Sequence, residues 1–140
     1  MPKKNKVRVV LDTNLWISYL ISKRLSRLDE LFAREELVVL FSVELRDEFI
    51  EVAQRPKFQK YFSHNDLVAL LELFDTYGEI IQVRRTVSIC RDEKDNFLLA
   101  LAAEGQADFL LTGDNDLLVI GKYEATEILT YAAFEERFNS

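Results

Sequence analysis

Three short stretches gather most of the chemistry this chain could do: Asp12-Thr13-Asn14, Asp92-Glu93-Lys94-Asp95 and Asp114-Asn115-Asp116. Carboxylates collected at one place repel one another and call for cations. Oxygen ligands without a soft partner favour Mg²⁺ or Mn²⁺ over zinc or copper. Thr13, Asn14, Thr112 and Asn115 stand beside these acids and could orient them through hydrogen bonds. Taken singly, each Asp has an ordinary reading as a turn former or helix cap. That reading is kept for Asp92. For Asp12, Asp95 and Asp114, expected on a common edge, the chemical reading is the stronger. Glu48, inside an amphipathic segment, looks by itself like any solvated glutamate.

The elements that must position these acids follow from hydrophobic pattern. Val7 and Val9-Val10-Leu11 form a run without polar alternation, as expected of a parallel strand covered on both faces, and the run ends on Asp12. Leu37–Phe41, Ile80–Val83 and Phe109–Thr112 read as three further strands, with a last one near Glu127–Leu129. Helices are expected over Leu15–Ile21, Leu25–Glu36, Val43–Gln54 (capped by Ser42 and stopped before Pro56), Asn65–Tyr77 (stopped by Gly78), Phe97–Glu104 (ended by Gly105) and Ala132–Phe138. Strands alternating with helices predict an α/β fold, a three-layer α/β/α sandwich around a mainly parallel sheet of four to five strands. In such a sheet the C-terminal strand ends form the ligand crevice, which places Asp12 and Asp114 at its working edge.

The 140 residues are expected to form one domain over 1–140, with residues 1–6 a flexible basic N-terminus. No apolar run approaches the roughly 20 residues that cross a bilayer, and the first one is too short for a signal peptide. A single cysteine, Cys90, excludes an intrachain disulfide framework and a cysteine-cluster metal site; it is read as a small apolar residue. A cytoplasmic protein is expected. The net charge of −6 argues against nucleic-acid binding through global positive charge. With the clustered acids neutralised by a cation, the remaining surface would be nearly neutral.

Over residues 7 to 130 the chain resembles the PIN-domain nucleases. The resemblance rests on Leu11-Asp12-Thr13-Asn14, Glu48 in SVELRDEFIEVAQRPKF, Asp95 in RDEKDNFLLALAAEGQAD, and Thr112-Gly113-Asp114-Asn115-Asp116-Leu117-Leu118. It implies an acidic quartet of Asp12, Glu48, Asp95 and Asp114 around one or two Mg²⁺ or Mn²⁺ ions, with Asp116 as an auxiliary ligand. It also implies a metal-dependent endoribonuclease that cuts without the ribose 2′-hydroxyl. Arg55-Pro56-Lys57-Phe58 resembles the subgroup that serves as toxins of bacterial toxin–antitoxin pairs, which implies a small antitoxin partner. Homodimerisation is common in such domains, and the helices over Leu25–Phe32 and Leu67–Phe74 could serve it.

Substrate contacts are less legible. Arg55, Lys57, Lys60, Arg84, Arg85 and Arg91 are candidates for positioning RNA phosphates, or equally are solvated surface charges. Tyr61 and Phe62 could stack on bases, whereas Trp16 reads as core and His64 as a neighbour of a helix cap. Competing functions are a nuclease of RNA processing or structured DNA, a phosphotransfer protein, and a metal or RNA-binding module that does not cut. A phosphatase usually has Asp two residues after its nucleophile, where this chain has Asn14, and Lys122 is poorly placed for a receiver domain.

Overall fold

The structure, a computed structural model, describes residues 6–22 and 26–138. Among these residues the sheet has six strands: β1 (Val7–Leu11), β2 (Leu37–Phe41), β3 (Gly78–Ile80), β4 (Phe109–Leu111), β5 (Lys122–Tyr123) and β6 (Thr126–Leu129). Their order is β3-β2-β1-β4-β6-β5, and every neighbouring pair is parallel except β5 with β6. The helices are α1 (Thr13–Ser22), α2 (Ser26–Ala33), α3 (Val43–Ala53), α4 (His64–Tyr77), α5 (Glu93–Glu104), α6 (Asn115–Leu118) and α7 (Tyr131–Arg137), with a 3₁₀ turn at Pro56–Phe58.

The chain winds outward from β1 to β2 and β3, then returns through α5 to place β4 on the other side of β1. Crossovers between parallel strands are right-handed, so this reversal puts helices on both faces of the sheet. Its fold is therefore the expected α/β arrangement with a mainly parallel central sheet. The reversal also opens a crevice between the C-terminal ends of β1 and β4. Their register, Val9↔Phe109, Val10↔Leu110 and Leu11↔Leu111, brings Asp12 and Thr112 level just beyond the last pair.

Burial explains why the strands read as unbroken apolar runs. Val9, Val10 and Leu11 are buried, as are Leu110 and Leu111, because helices cover them on both sides. Leu99, Leu101 and Ala102 of α5 pack into the same core. Trp16 is core as expected, edge-on to Phe74 at 4.8 Å between ring centres. Leu67, Leu70 and Phe74 of α4 are buried too, and Val68 and Ala69 are its exposed apolar residues.

Several boundaries differ from the sequence expectation. The third strand runs over Gly78–Ile80 rather than Ile80–Val83. Its partner β2 ends at Phe41, where Ser42 caps α3, so the chain beyond Ile81 has no ladder to join. Gly78 itself leaves no room for a side chain: a Cβ there would lie 2.3 Å from the Phe74 carbonyl oxygen and 2.5 Å from the Phe41 ring. Helix α5 begins at Glu93 rather than Phe97, with Asp92 as its N-cap. Helix α6 and strand β5 have no counterpart in the expected elements. The basic N-terminus expected to be flexible lies outside the described residues except for Lys6, as do Leu25 and the side chain of Leu28.

An acidic cavity at the crossover of the sheet

Asp12 leaves β1 with its backbone N–H still donating to the Leu111 carbonyl at 3.0 Å, so the carboxylate stands at the end of the ladder. Across the crevice, the Thr112 hydroxyl donates to Asp12 Oδ2 at 2.8 Å and accepts from the Asp114 backbone N–H at 3.0 Å. One buried threonine thus fixes the acid on β1 and the turn after β4 relative to each other. Asp114 caps α6, its Oδ1 accepting from the Asp116 backbone N–H at 2.9 Å. Asn14 contributes its backbone N–H, 3.3 Å from Asp12 Oδ1, while its side chain faces solvent. Thr13 opens α1 and donates through its hydroxyl to Glu48 Oε1 at 3.3 Å.

Asp12, Glu48, Asp95 and Asp114 line one open cavity of about 530 Å³, together with Thr13 and Asn14. Four separated segments supply this acidic wall: the β1–α1 junction, α3, the first turn of α5, and the β4–α6 junction. Asp116 stands behind them, close enough that ligand oxygens of Asp95, Asp114 and Asp116 lie within 4.8 Å of one another. Asn115 opens α6 on the exposed side and does not line the cavity.

Asp95 is the most perturbed of these groups. Only 4% of it is exposed, and its Oδ2 is buried with no hydrogen-bond partner. Burial pushes its pKa up to about 7, helped by contact with Asp114 and by the charges of Asp114, Asp92 and Asp12. A buried carboxylate oxygen without a partner is costly unless something positive meets it. The donor set here is all oxygen, and the orphaned atom belongs to the tightest group of acids. These residues therefore fit a hard divalent cation, with Asp95, Asp114 and Asp116 able to hold it. Burial, and after it the same acids, raise the pKa of Cys90, which favours its protonated thiol.

The basic residues singled out in the sequence do not line this cavity. Arg55 is 3.3 Å from Glu51, Arg84 donates to Gln82 at 2.8 Å, and Arg85 pairs with Glu124 and Glu104. Lys57 and Lys60 lie over the rings of Phe58 and Tyr61. Arg91 comes nearest, donating to Asp116 Oδ1 at 2.9 Å.

Two residues of the site region were not singled out from sequence. Buried Asn96 accepts at Oδ1 from the backbone N–H groups of Ile89 (3.1 Å) and Cys90 (2.8 Å), and donates through Nδ2 to the Cys90 carbonyl (3.0 Å). It pins the segment that carries Arg91 onto α5. The other is Lys94, whose Nζ is 3.9 Å from Glu48 Oε1. Asn96 follows three charged residues and opens the apolar part of α5, so neither it nor a lysine among acids stood out in the sequence.

An acidic crevice at the crossover of a parallel sheet is suited to a divalent cation and to the phosphate chemistry one supports. The chain belongs to the PIN domain family, whose model matches residues 8–116, and so to a family of metal-dependent nucleases. It is also 33% identical over 119 residues to an uncharacterized protein of Methanocaldococcus jannaschii, covering 83% of this chain and 76% of the relative. Among the described residues no helix is long and apolar enough to cross a membrane.

Proposed function

We propose that this protein is an Mg²⁺- or Mn²⁺-dependent endoribonuclease acting in the cytoplasm as the toxin of a toxin–antitoxin pair, with Asp12, Glu48, Asp95 and Asp114 as its catalytic acids. The observation that carries the nuclease reading is the buried, unpartnered Oδ2 of Asp95 beside Asp114 in a cavity lined by the other two acids. The toxin role, a small antitoxin covering the cavity and a homodimer rest on the sequence resemblance.

In this reading a divalent ion held by Asp95, Asp114 and Asp116 would supply positive charge to the phosphoryl oxygens and would lower the pKa of the attacking water. Thr112 holds Asp12 in one orientation and Thr13 does the same for Glu48, so neither acid has to reorganise as substrate arrives. A carboxylate of the set takes the water's proton as the water oxygen bonds to phosphorus. The bond from phosphorus to the 3′-oxygen breaks, and that oxygen is protonated as it leaves. The ribose 2′-hydroxyl takes no part, so the products carry a 5′-phosphate and a 3′-hydroxyl.

The test is cleavage of a panel of single-stranded and structured RNAs in Mg²⁺, Mn²⁺ or EDTA by wild type, Asp12→Asn and Asp114→Asn. Cutting is expected with either metal, and is expected to vanish in EDTA and in both variants. A 2′,3′-cyclic phosphate on the product would exclude this mechanism, and cutting by Asp12→Asn at the wild-type rate would exclude this site.

A further inference from the structure

The acidic cavity sets an electrostatic problem that the nuclease reading leaves open. Seven carboxylates line it, the four proposed catalytic acids with Glu44, Asp92 and Glu93, while an RNA strand brings one negative charge per phosphate. Among the described residues that line it, Lys94 is the sole cation. We infer that Lys94 takes a backbone phosphate of the substrate at the cavity mouth, an inference that rests on the nuclease reading above.

Three observations point to this role. Lys94 sits at the second position of α5, its backbone fixed by an N–H donated to Asp92 Oδ1 at 2.9 Å, and it directly precedes Asp95. Its side chain therefore starts beside the most buried acid of the site. It also reaches across the cavity, since Nζ comes to 3.9 Å from Glu48 Oε1 on α3. The contact is long and the Lys94 side chain is 66% exposed, so this ion pair is weak and leaves ammonium donors available. Local preference, moreover, runs against a cation here. The first turn of a helix favours acids, as Glu93 and Asp95 illustrate, and a lysine between them opposes the helix dipole. A residue that violates a local rule at the rim of a site is best explained by what it does there.

The arrangement gives a point charge rather than a planar fork, which suits a phosphate contact without base specificity. Lys94 would position the strand through its backbone, leaving sequence preference to other residues.

The experiment measures anisotropy of a labelled single-stranded RNA in Mg²⁺ at several salt concentrations. The protein is Asp12→Asn, which the nuclease reading expects to bind without cutting, with Lys94→Gln, Lys94→Arg or Arg34→Gln added. Arg34, ahead of β2 at the opposite edge of the sheet, is the control. Cleavage of the same strand by wild type and by Lys94→Gln is followed in parallel. Lys94→Gln is expected to weaken binding about tenfold and to reduce the slope of log affinity against log salt by about 0.7. The loss should be equal for RNAs of different sequence, should appear as a raised KM in cleavage, and should be largely restored by Lys94→Arg. If Lys94→Gln lowers thermal stability but leaves the slope and affinity equal to those of the control, the lysine merely holds Glu48 and the inference fails. Wild type that cuts normally beside such a variant overturns the role of Lys94 alone. Wild type that cuts nothing, with no binding by Asp12→Asn, overturns the nuclease reading together with it.

Discussion

Asp95 is pulled in two directions. Its place in the first turn of α5 favours a negative charge there. Its burial and the neighbouring Asp114, Asp92 and Asp12 oppose that charge and raise its pKa to about 7. Because the folded value lies above the ordinary 3.8, the folded protein holds this proton over a window in which the unfolded chain has released it. Its contribution therefore falls as pH rises from about 4 to about 7 and is level above that. Glu79 and Glu127, whose pKa values are lowered by Arg8 and Arg137, contribute in the opposite sense, so the informative quantity is a difference. In EDTA, the thermal stability of Asp95→Asn relative to wild type should rise across this window. A difference that stays constant from pH 4 to 8 would show that Asp95 titrates normally. A cation must displace the same proton, so Mn²⁺ affinity measured by calorimetry should climb about tenfold per pH unit below 7.

At the scale of elements, Asp12 and Asp114 stand at strand-to-helix junctions, while Glu48 and Asp95 are carried by α3 and α5. The segment between β3 and α5 has no ladder or helix of its own among the described residues, and Asn96 satisfies three of its backbone groups from inside α5. Asn96→Ala would remove all three of these part-buried hydrogen bonds. It should cost about 2–3 kcal/mol in urea unfolding. It should also weaken the hold of Arg91 on Asp116, since Arg91 follows directly on the pinned Cys90. An unchanged unfolding midpoint would mean that the segment finds other partners. Thr112 plays the equivalent part between β1 and α6, joining residues 100 positions apart in the chain.

For the molecule as a whole, the cavity exists only when four separated segments are brought together, so a cation that binds it binds the folded state alone. Linkage then requires metal to stabilise the fold, by about 2.7 kcal/mol at a hundredfold excess over its Kd. Calorimetric melting with increasing Mn²⁺ should show the midpoint rising, and the rise should be absent in Asp114→Asn. A midpoint indifferent to Mn²⁺ in wild type would remove the metal site. The global charge of −6 fits this picture, because acids concentrated in one cavity are compensated where the cation sits.

Sequence alone determined what depends on neighbours a few residues away. The aliphatic runs of β1, β2 and β4 declared buried parallel strands, and Ser42, Asp92 and Gly105 marked helix ends where the structure has them. Because strand alternation with helices implies one sheet edge for all strand ends, the convergence of Asp12 and Asp114 followed as well. Glu48 was legible only by resemblance, since nothing in its helix distinguishes a glutamate facing Thr13 from one facing water. The tertiary structure decided the rest. It set the limits of β3, which depend on where its partner ends, and it paired short β5 with β6, for which two residues carry no usable pattern. It buried Asp95, left Oδ2 without a partner, and brought Lys94 from α5 to Glu48 on α3. These are consequences of contacts between residues tens of positions apart, and a residue's desolvation and field are sums over such contacts rather than properties of its neighbours in the chain.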